Sequence, residues 1–270
     1  YLWKKKNLKN YIPLSVPNLS GREWKYIKEC IDTEWVSSAG KYVDKFEKKI
    51  SEYTGSKYAI GCVNGTSAIQ TSLKIVGVEK GDEVIAPTLT FIAPINAILY
   101  NNAIPVFMDV DEFYNLDIDK VKHFLEKETY LSNGITYNKK TKNKIAAILP
   151  VHIWGNAANL ESLEELSKIY SIPIVEDASE SLGSFYINGK LSKKHTGTIG
   201  SLGCISFNGN KIITTGGGGM IITDNESFAT KAKYLTTQAK DDPIRYIHNE
   251  VGYNFRLTNI LAALGVAQLE

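Results

Sequence analysis

The sequence has few cysteines, no excess of one charge and no long apolar run, and each shortage excludes a class of protein. Its only cysteines are Cys30, Cys62 and Cys204. An odd number at such wide spacing predicts the free thiols of a cytoplasmic protein rather than a disulfide framework or a metal site. Thirty-one Lys and Arg residues balance 29 Asp and Glu, for a net charge of +2. A chain this close to neutral lacks the basic surface of a nucleic-acid-binding protein.

No segment of the sequence is apolar for long enough to cross a membrane. The longest candidate, residues 90–110, is interrupted by Pro94 and by three asparagines, whereas a spanning helix needs about 20 consecutive apolar residues. No signal-peptide pattern opens the sequence either. Because the chain begins at Tyr1 rather than Met and ends at Glu270 inside a predicted helix, we expect the native chain to be longer.

The sequence does contain a regular alternation of short apolar runs and helical segments. Strands are predicted over 58–63, 83–86, 104–110, 144–151, 172–175, 202–207 and 220–223, and helices near 42–53, 66–76, 92–100, 118–125, 160–170, 227–235 and 258–269. Continuous apolar strands separated by helices indicate a mostly parallel sheet that is covered on both faces. The predicted fold class is therefore α/β.

Two local patterns make narrower predictions. Ser20 followed three residues later by Glu23 predicts a capping box, with Trp24 and Ile31 on the buried face of the helix that follows. The polar segment 128–143 contains an Asn-Gly pair between two short apolar runs, which predicts a β-hairpin at the surface.

Three segments that follow predicted strands carry residues suited to chemistry. Ligands of parallel sheets bind beyond the carboxyl ends of the strands, which is where these segments lie. In the first, the chain passes through Gly65 into a helix, so free N–H groups and the hydroxyls of Thr66 and Ser67 suit a phosphate. Gly, Thr and Ser also cap ordinary helices, so this turn alone leaves both interpretations open.

The second and third segments supply a carboxylate and an amine. Asp177 ends an apolar strand, and a buried carboxylate needs a positive or hydrogen-bonding partner, although a helix cap or a salt bridge is the alternative. Lys211 lies between an apolar strand and the glycines of 216–219. A desolvated lysine forms Schiff bases, whereas an exposed loop lysine is the common alternative. The glycines lack the GxGxxG spacing, so a nicotinamide cofactor is poorly supported.

A single ligand accounts for all three segments. It would carry a phosphate for the Gly65 turn and Ser206, a cationic nitrogen for Asp177 and an aldehyde for Lys211. Pyridoxal phosphate has all three groups. Phe91, beyond the next strand, suits stacking on the pyridine ring, with an ordinary core aromatic as the alternative.

The order of these motifs resembles that of the DegT/DnrJ/EryC1/StrS family of sugar aminotransferases, which are pyridoxal-phosphate enzymes of the aspartate-aminotransferase fold. The matching segments run from Ile12-Pro13-Leu14 to Ala267–Glu270 and include Asn64–Ala68, Pro87–Phe91, Pro105–Asp111, Pro150–Gly155, Glu176–Ala178, Ser206–Phe207, Lys211 and Gly252–Leu257. The resemblance implies a fold type I large domain of three αβα layers with a mostly parallel central sheet.

The resemblance also implies roles for individual residues. The implied cofactor-binding set is Gly65, Thr66, Ser67, Phe91, Asp177, Glu180, Ser206, Lys211 and Asn254. Lys211 would form the Schiff base and carry protons, and Asp177 would pair with the pyridinium nitrogen, so these two are the implied catalytic residues. Asn254 would reach the phosphate in the partner subunit, which implies a homodimer with shared active sites. His152 is interpreted as a loop-shaping residue.

The sequence departs from the family pattern at two places. Position 180 is Glu, where most of the family carries Gln or His near the cofactor's ring hydroxyl, and 216–219 lacks the Glu of the common Gly-Glu-Gly-Gly pattern. The string 208–215 looks most like the subgroup that acts on 4-keto-6-deoxy nucleotide sugars. The segments 128–143 and 193–195 look like insertions.

The resemblance divides the chain into three parts. Residues 1–56 would be a helical lead-in, 57–256 the cofactor-binding large domain, and 257–270 the start of a helix leading to a small C-terminal domain outside this sequence. The implied reaction moves an amino group from glutamate to C4 of a nucleotide-linked 4-keto-6-deoxyhexose for bacterial surface glycans. A sugar dehydratase, which carries histidine in place of Lys211, a C3 aminotransferase and a non-enzymatic homologue are the alternatives.

Overall fold

The computed structural model describes Ile12, residues 15–242 and residues 244–270. The predicted match at Pro13-Leu14 lies outside the described residues, as does the first part of the predicted lead-in. The helices are α1 (Glu23–Asp32), α2 (Lys41–Thr54), α3 (Gly65–Ile75), α4 (Ile92–Tyr100), α5 (Ile118–Glu128), α6 (Leu160–Tyr170), α7 (Glu226–Thr236) and α8 (Asn259–Leu269). No helix of the described part is long and apolar enough to span a membrane.

The strands form one mixed, mostly buried sheet and a separate hairpin. They are β1 (Tyr58–Cys62), β2 (Glu83–Pro87), β3 (Ile104–Met108), β4 (Thr129–Ser132), β5 (Ile135–Asn138), β6 (Ile145–Ile148), β7 (Val175–Asp177), β8 (Leu202–Ser206) and β9 (Gly219–Thr223). Within the sheet, β1-β9-β8-β7 and β6-β2-β3 are joined by parallel bridges from Ile148 to Ile174 and from Val151 to Asp177. β9 runs antiparallel to both of its neighbours, β1 and β8.

Helices cover both faces of the sheet because successive strand residues point to opposite sides. Cys204 and Ile221 pack on the face covered by α3, α4 and α7, whereas Ile205 and Ile222 pack on the face covered by α1, α2 and α8. A third cluster fills the space between β2, β6, α5 and α6 around Ile85. The predicted α/β class with layered helices is confirmed.

The three cysteines are free, as the sequence predicted, and all three are buried. Burial raises the pKa of the Cys62 thiol to about 12 and also raises the pKa of Cys204. Because the thiolate is the reactive form, neither side chain is a candidate nucleophile.

The predicted start and face of α1 are wrong. The helix is preceded by Arg22 without a side-chain cap, so Ser20 and Glu23 form no capping box. Trp24 is 72% exposed, whereas Tyr26 and Cys30 are buried. Tyr26 faces the body of the protein because its hydroxyl donates to Glu270 at the end of α8, 2.7 Å away.

The predicted hairpin is confirmed, and the structure shows what anchors it. β4 and β5 pair antiparallel around Asn133-Gly134. Glu83, which is 1% exposed at the amino end of β2, accepts hydrogen bonds from Asn138 at 2.8 Å and Thr141 at 2.6 Å. The hairpin therefore lies at the amino ends of the parallel strands, the end of the sheet opposite the functional segments.

Candidate active site

A cleft of about 500 Å³ opens at the carboxyl ends of the parallel strands, the predicted location of a ligand site. It is lined by seven of the nine predicted site residues: Gly65, Thr66, Phe91, Asp177, Glu180, Ser206 and Lys211. Residues that are as much as 146 positions apart in the chain, Gly65 and Lys211, thus meet in one cavity. Ser67 and Asn254 are not among the lining residues.

The turn before α3 forms a cradle for a small anion. Asn64 caps the helix by accepting the backbone N–H of Ser67 at 2.8 Å, which accounts for the position of Ser67 behind the cleft. A Cβ atom at Gly65 would lie 2.9 Å from Ser206 Cβ and 3.1 Å from Ser179 Oγ. Only glycine leaves this space open, and the helix N-terminus favours negative charge there.

Asp177 is a buried carboxylate that the protein leaves largely unpaired. It is 5% exposed, and burial raises its pKa, while Ser179, Lys211 and His152 act in the opposite direction. Its Oδ1 accepts the backbone N–H of Ser179 at 3.0 Å. No Lys or Arg of the described residues forms an ion pair with it. A desolvated carboxylate with spare acceptor capacity suits a cationic ligand atom.

Lys211 points into the same cleft and contacts Glu180. Its side chain is 15% exposed, and its Nζ lies 3.1 Å from Glu180 Oε1. The other oxygen of Glu180 accepts the backbone N–H of Trp154 at 3.0 Å. The departure from the family at position 180 therefore places a carboxylate between the lysine and the loop that follows β6.

Behind the cleft wall, His152 and Glu176 form a fully buried pair. Nε2 of His152 lies 2.8 Å from Glu176, and its Nδ1 accepts the N–H of Ala158 at 3.0 Å. Because Ala158 N–H can only donate, the histidine carries its proton on Nε2 and donates it to Glu176. This arrangement agrees with the loop-shaping role predicted for His152.

Phe91 and Thr90 form another part of the wall. Phe91 immediately precedes α4 and is 72% exposed, so it is not the core aromatic that the sequence left open. Thr90 Oγ1 is buried without a hydrogen-bond partner among residues 15–242 and 244–270. A buried hydroxyl without a partner indicates a site for a polar ligand atom.

Sequence reasoning missed Thr90, Trp154 and the carboxylate of Glu176. Thr90 and Trp154 lie inside segments that resemble the family, Pro87–Phe91 and Pro150–Gly155, but their residue types alone do not indicate a role. In the sequence, Glu176 and Asp177 are two adjacent carboxylates at the end of one strand. Successive strand residues face opposite sides, and the sequence alone does not show which of the two faces the ligand.

These residues fit pyridoxal phosphate. The Gly65 cradle has space and N–H donors for the phosphate, and Asp177 has the unpaired buried carboxylate that a protonated pyridine nitrogen needs. Lys211 supplies a primary amine in the same cavity.

Asn254 lies elsewhere on the surface. It is exposed and pairs with Thr237 through an isolated antiparallel bridge. Its side-chain oxygen lies 3.4 Å from Gln238 Nε2. The structure therefore does not bring Asn254 into the cleft of its own chain.

A larger groove of about 1090 Å³ runs along β1 between α2 and α7. None of the nine predicted site residues lines it. Its Glu47 carboxylate pairs with two cations, because it lies 3.3 Å from Lys233 and 3.9 Å from Arg256. The smaller cleft, which combines a phosphate cradle with a buried carboxylate and an amine, is the candidate active site.

Comparison with known sequences and structures identifies close relatives of this site and fold. A GDP-perosamine synthase of Escherichia coli O157:H7 is 40% identical over 96% of this chain and 66% of the relative. The putative pyridoxal phosphate-dependent aminotransferase EpsN of Bacillus subtilis (strain 168) is 39% identical over 96% of this chain and 63% of the relative. The chain thus spans slightly less than two thirds of these relatives' length.

Solved structures give the same result for the fold. PseC of Helicobacter pylori, an aminotransferase of pseudoaminic acid biosynthesis, superposes with a TM-score of 0.83 at 27% identity, over 96% of this chain and 65% of that one. 3-Amino-5-hydroxybenzoic acid synthase gives a TM-score of 0.82 at 28% identity, over 96% of this chain and 63% of that one.

These superpositions confirm the predicted fold type I architecture. The model of the DegT/DnrJ/EryC1/StrS aminotransferase family matches residues 17–270, nearly all of the sequence. The chain belongs to the DegT/DnrJ/EryC1/StrS aminotransferase family, whose cofactor is pyridoxal phosphate.

Proposed function

We propose that the protein is a nucleotide-sugar aminotransferase of bacterial surface glycan biosynthesis. It moves an amino group from glutamate to C4 of a nucleotide-linked 4-keto-6-deoxyhexose in the cytoplasm. The observation that carries the proposal is the meeting of Lys211, the unpaired buried Asp177 and the Gly65 cradle in one cleft. Two relatives at 40% identity are GDP-perosamine synthases, and perosamine is a 4-amino sugar, which supports C4 as the position of amination.

In this proposal the cofactor's phosphate is held by Gly65, Thr66 and Ser206, with the α3 N-terminus behind them. Phe91 would cover the cofactor's ring, and Glu180 would face the ring hydroxyl. When bound, pyridoxal phosphate supplies an electron sink for the carbanion that remains after a C–H proton is removed.

The protein's residues manage the protons of this reaction. Asp177 holds a proton on the ring nitrogen, because an opposite charge in a desolvated site favours both charged forms. Lys211 Nζ removes the proton from the substrate carbon as a general base and then returns it as a general acid. Its side chain is only 15% exposed, which limits exchange of that proton with water.

The proposal extends to the organisation of the whole protein. In this proposal 1–56 is a lead-in whose described part carries α1 and α2, 57–256 is the cofactor-binding domain, and 257–270 would begin a helix that leads to a small C-terminal domain. Two chains form a homodimer in which Asn254 of each serves the cofactor phosphate of the other. The exposure of Asn254 outside its own cleft supports this arrangement.

The test replaces Lys211 with alanine and uses Lys80→Ala as the control, since Lys80 is an exposed loop residue outside the cleft. GDP-, UDP- and dTDP-linked 4-keto-6-deoxyhexoses are supplied with glutamate, and NMR locates any new amine. We expect Lys211→Ala to lose at least ~10³-fold in turnover, within the range of a removed general base, and to lose borohydride-trapped cofactor. Full turnover in Lys211→Ala, or a deoxygenated product without an amine from the unaltered enzyme, would refute the proposal.

A further inference from the structure

Two large aromatic side chains stand exposed in contact with each other, and one of them lines the cleft. Trp154 is 64% exposed and lines the cleft, and Tyr114 is 51% exposed. Their ring centroids are 5.4 Å apart, and the rings meet edge to face at 64°. Exposed aromatic pairs are uncommon on a surface that has no ligand or partner, because their apolar faces remain in water.

Both residues have a backbone conformation that is unfavourable for side chains of their size. Trp154 has a φ of 51° and Tyr114 a φ of 67°, the left-handed region that bulky residues rarely adopt. Such strain persists only where the surroundings fix it, and it concentrates at functional sites.

Asn115 is the residue that fixes the two loops together. It is 2% exposed, accepts the N–H of Ile153 at 3.3 Å and donates to Ala157 O at 3.3 Å. Asn115 and Ile153 immediately adjoin Tyr114 and Trp154 in the chain. The two hydrogen bonds of Asn115 therefore hold the loops together and place the two aromatic residues side by side.

A second contact ties the aromatic pair to the reacting amine. Trp154 N–H donates to one oxygen of Glu180 at 3.0 Å, and the other oxygen lies 3.1 Å from Lys211 Nζ. One carboxylate thus separates the Trp154 backbone from the lysine. Because Lys211 and Trp154 line the same cleft, a sugar whose reacting carbon lies at Lys211 would be within reach of Trp154, whereas its nucleotide would extend farther away.

We propose that Tyr114 and Trp154 form an aromatic platform that binds the hexose ring of the substrate, an inference that rests on the proposed function. The platform packs against the apolar C–H face of the sugar. It also favours the C6 methyl group of a 6-deoxyhexose over a C6 hydroxyl, because that hydroxyl would lose water without gaining a hydrogen-bond partner on an aromatic face. Tyr114 and Trp154 are then specificity-determining residues for the sugar and not for the nucleotide.

The test measures binding by calorimetry with full-length, cofactor-loaded protein. The probes are GDP, UDP and dTDP alone, then the nucleotide that binds carrying a hexose or its 6-deoxy counterpart, such as GDP-mannose and GDP-rhamnose. The variants are Trp154→Ala and Tyr114→Ala. Trp24→Ala is the matched control, since Trp24 is 72% exposed on α1, which packs against α8.

We expect Trp154→Ala to weaken binding of the 6-deoxy nucleotide sugar by about tenfold, the upper range of one aromatic contact. The same variant should change the affinity for free nucleotide by no more than about twofold, and it should abolish the preference for the 6-deoxy sugar. Trp154→Phe should retain that preference. Tyr114→Ala acts in the same direction, and Trp24→Ala changes neither affinity.

Three results would overturn the inference while leaving the proposed function intact. If Trp154→Ala weakened the binding of free nucleotide and nucleotide sugar equally, the platform would bind the nucleotide base instead of the hexose. If neither affinity changed, the platform would not be part of the binding site. If light scattering showed a smaller assembly for Trp154→Ala than for the wild type, the aromatic pair would be a contact between subunits. A wild-type protein that binds no nucleotide sugar would instead refute the proposed function, and the inference with it.

Discussion

Glu176 and Asp177 are adjacent in sequence and both buried, yet the protein treats their carboxylates differently. Glu176 accepts three backbone N–H groups, from Gly197, Ile199 and Gly200, in addition to His152. Asp177 accepts one backbone N–H, from Ser179. The satisfied carboxylate stabilises the loop around it, whereas the other keeps acceptor capacity for a ligand at a cost in folding free energy.

His195 is a second buried titratable residue, and it predicts how stability depends on pH. It is 0% exposed between Phe185 and Tyr53, and its Nε2 accepts the N–H of Gly183 at 2.7 Å. Burial lowers its pKa below the ordinary value of 6.5. As pH falls below about 6.5, the unfolded chain binds the proton before the folded chain does, so the free energy of unfolding decreases until the pH reaches the folded-state pKa of His195.

The measurement compares wild type with His195→Gln in urea unfolding between pH 8 and pH 5. Glutamine offers an oxygen to Gly183 N–H but does not titrate. We expect the wild type to lose stability relative to the variant as pH falls, by no more than ~1.4 kcal/mol per pH unit for one proton. Parallel stability curves would show that His195 titrates equally in both states.

At the scale of elements, the sequence predicts best the strands and helices whose buried residues follow a simple period. The strands β1, β2, β8 and β9 lie within two residues of the predicted limits, because their apolar runs end at turn residues. β7 begins three residues later than predicted, since Ile172 and Ile174 are buried beside it without forming a continuous ladder. The sequence thus located buried segments better than it located hydrogen-bonded ones.

Helix α1 shows why the remainder could not be predicted. Its buried face is set by α8, which lies more than 200 residues later in the chain and contributes Glu270 and Gln268 as partners of Tyr26 and Glu23. A local period cannot show which face meets so distant a partner. The same limit applies to the candidate site, where residue types predicted the cofactor's three groups but not the contact between Glu180 and Trp154.

The hairpin β4–β5 is expected to depend on one side chain, that of Glu83. Glu83→Gln turns an acceptor-only group into one with an amide that faces the donors of Asn138 and Thr141. We expect a loss of about 1–3 kcal/mol in the free energy of unfolding, the usual cost of a buried unsatisfied group. Hydrogen exchange should show faster opening of residues 129–138.

The control for this prediction is Glu79→Gln, an exposed residue four positions earlier, which we expect to change stability by less than ~0.5 kcal/mol. Aminotransferase activity should be unchanged in Glu83→Gln under folding conditions, because the hairpin lies at the end of the sheet opposite the cleft. A selective loss of turnover without a loss of stability would contradict this placement.

At the scale of the whole molecule, the cleft of one chain holds a cofactor cradle but not Asn254. Exposed apolar side chains lie at the cleft, among them Leu89 and Phe91. A surface of this kind fits burial against a second copy of the chain. The proposed homodimer would cover these side chains and bring the partner's asparagine to the phosphate.

Hybrid dimers test this arrangement directly. In a dimer of one Lys211→Ala chain and one Asn254→Ala chain, sharing in trans leaves one site with both defects and one with none. We therefore expect co-expressed, doubly tagged hybrids to regain about half of the wild-type turnover per dimer, while either variant alone remains impaired. If Asn254 served its own chain, every site of the hybrid would carry a defect, and mixing would restore nothing. Because both chains fold and bind in the same way in either case, recovered activity reports on which subunit supplies the asparagine.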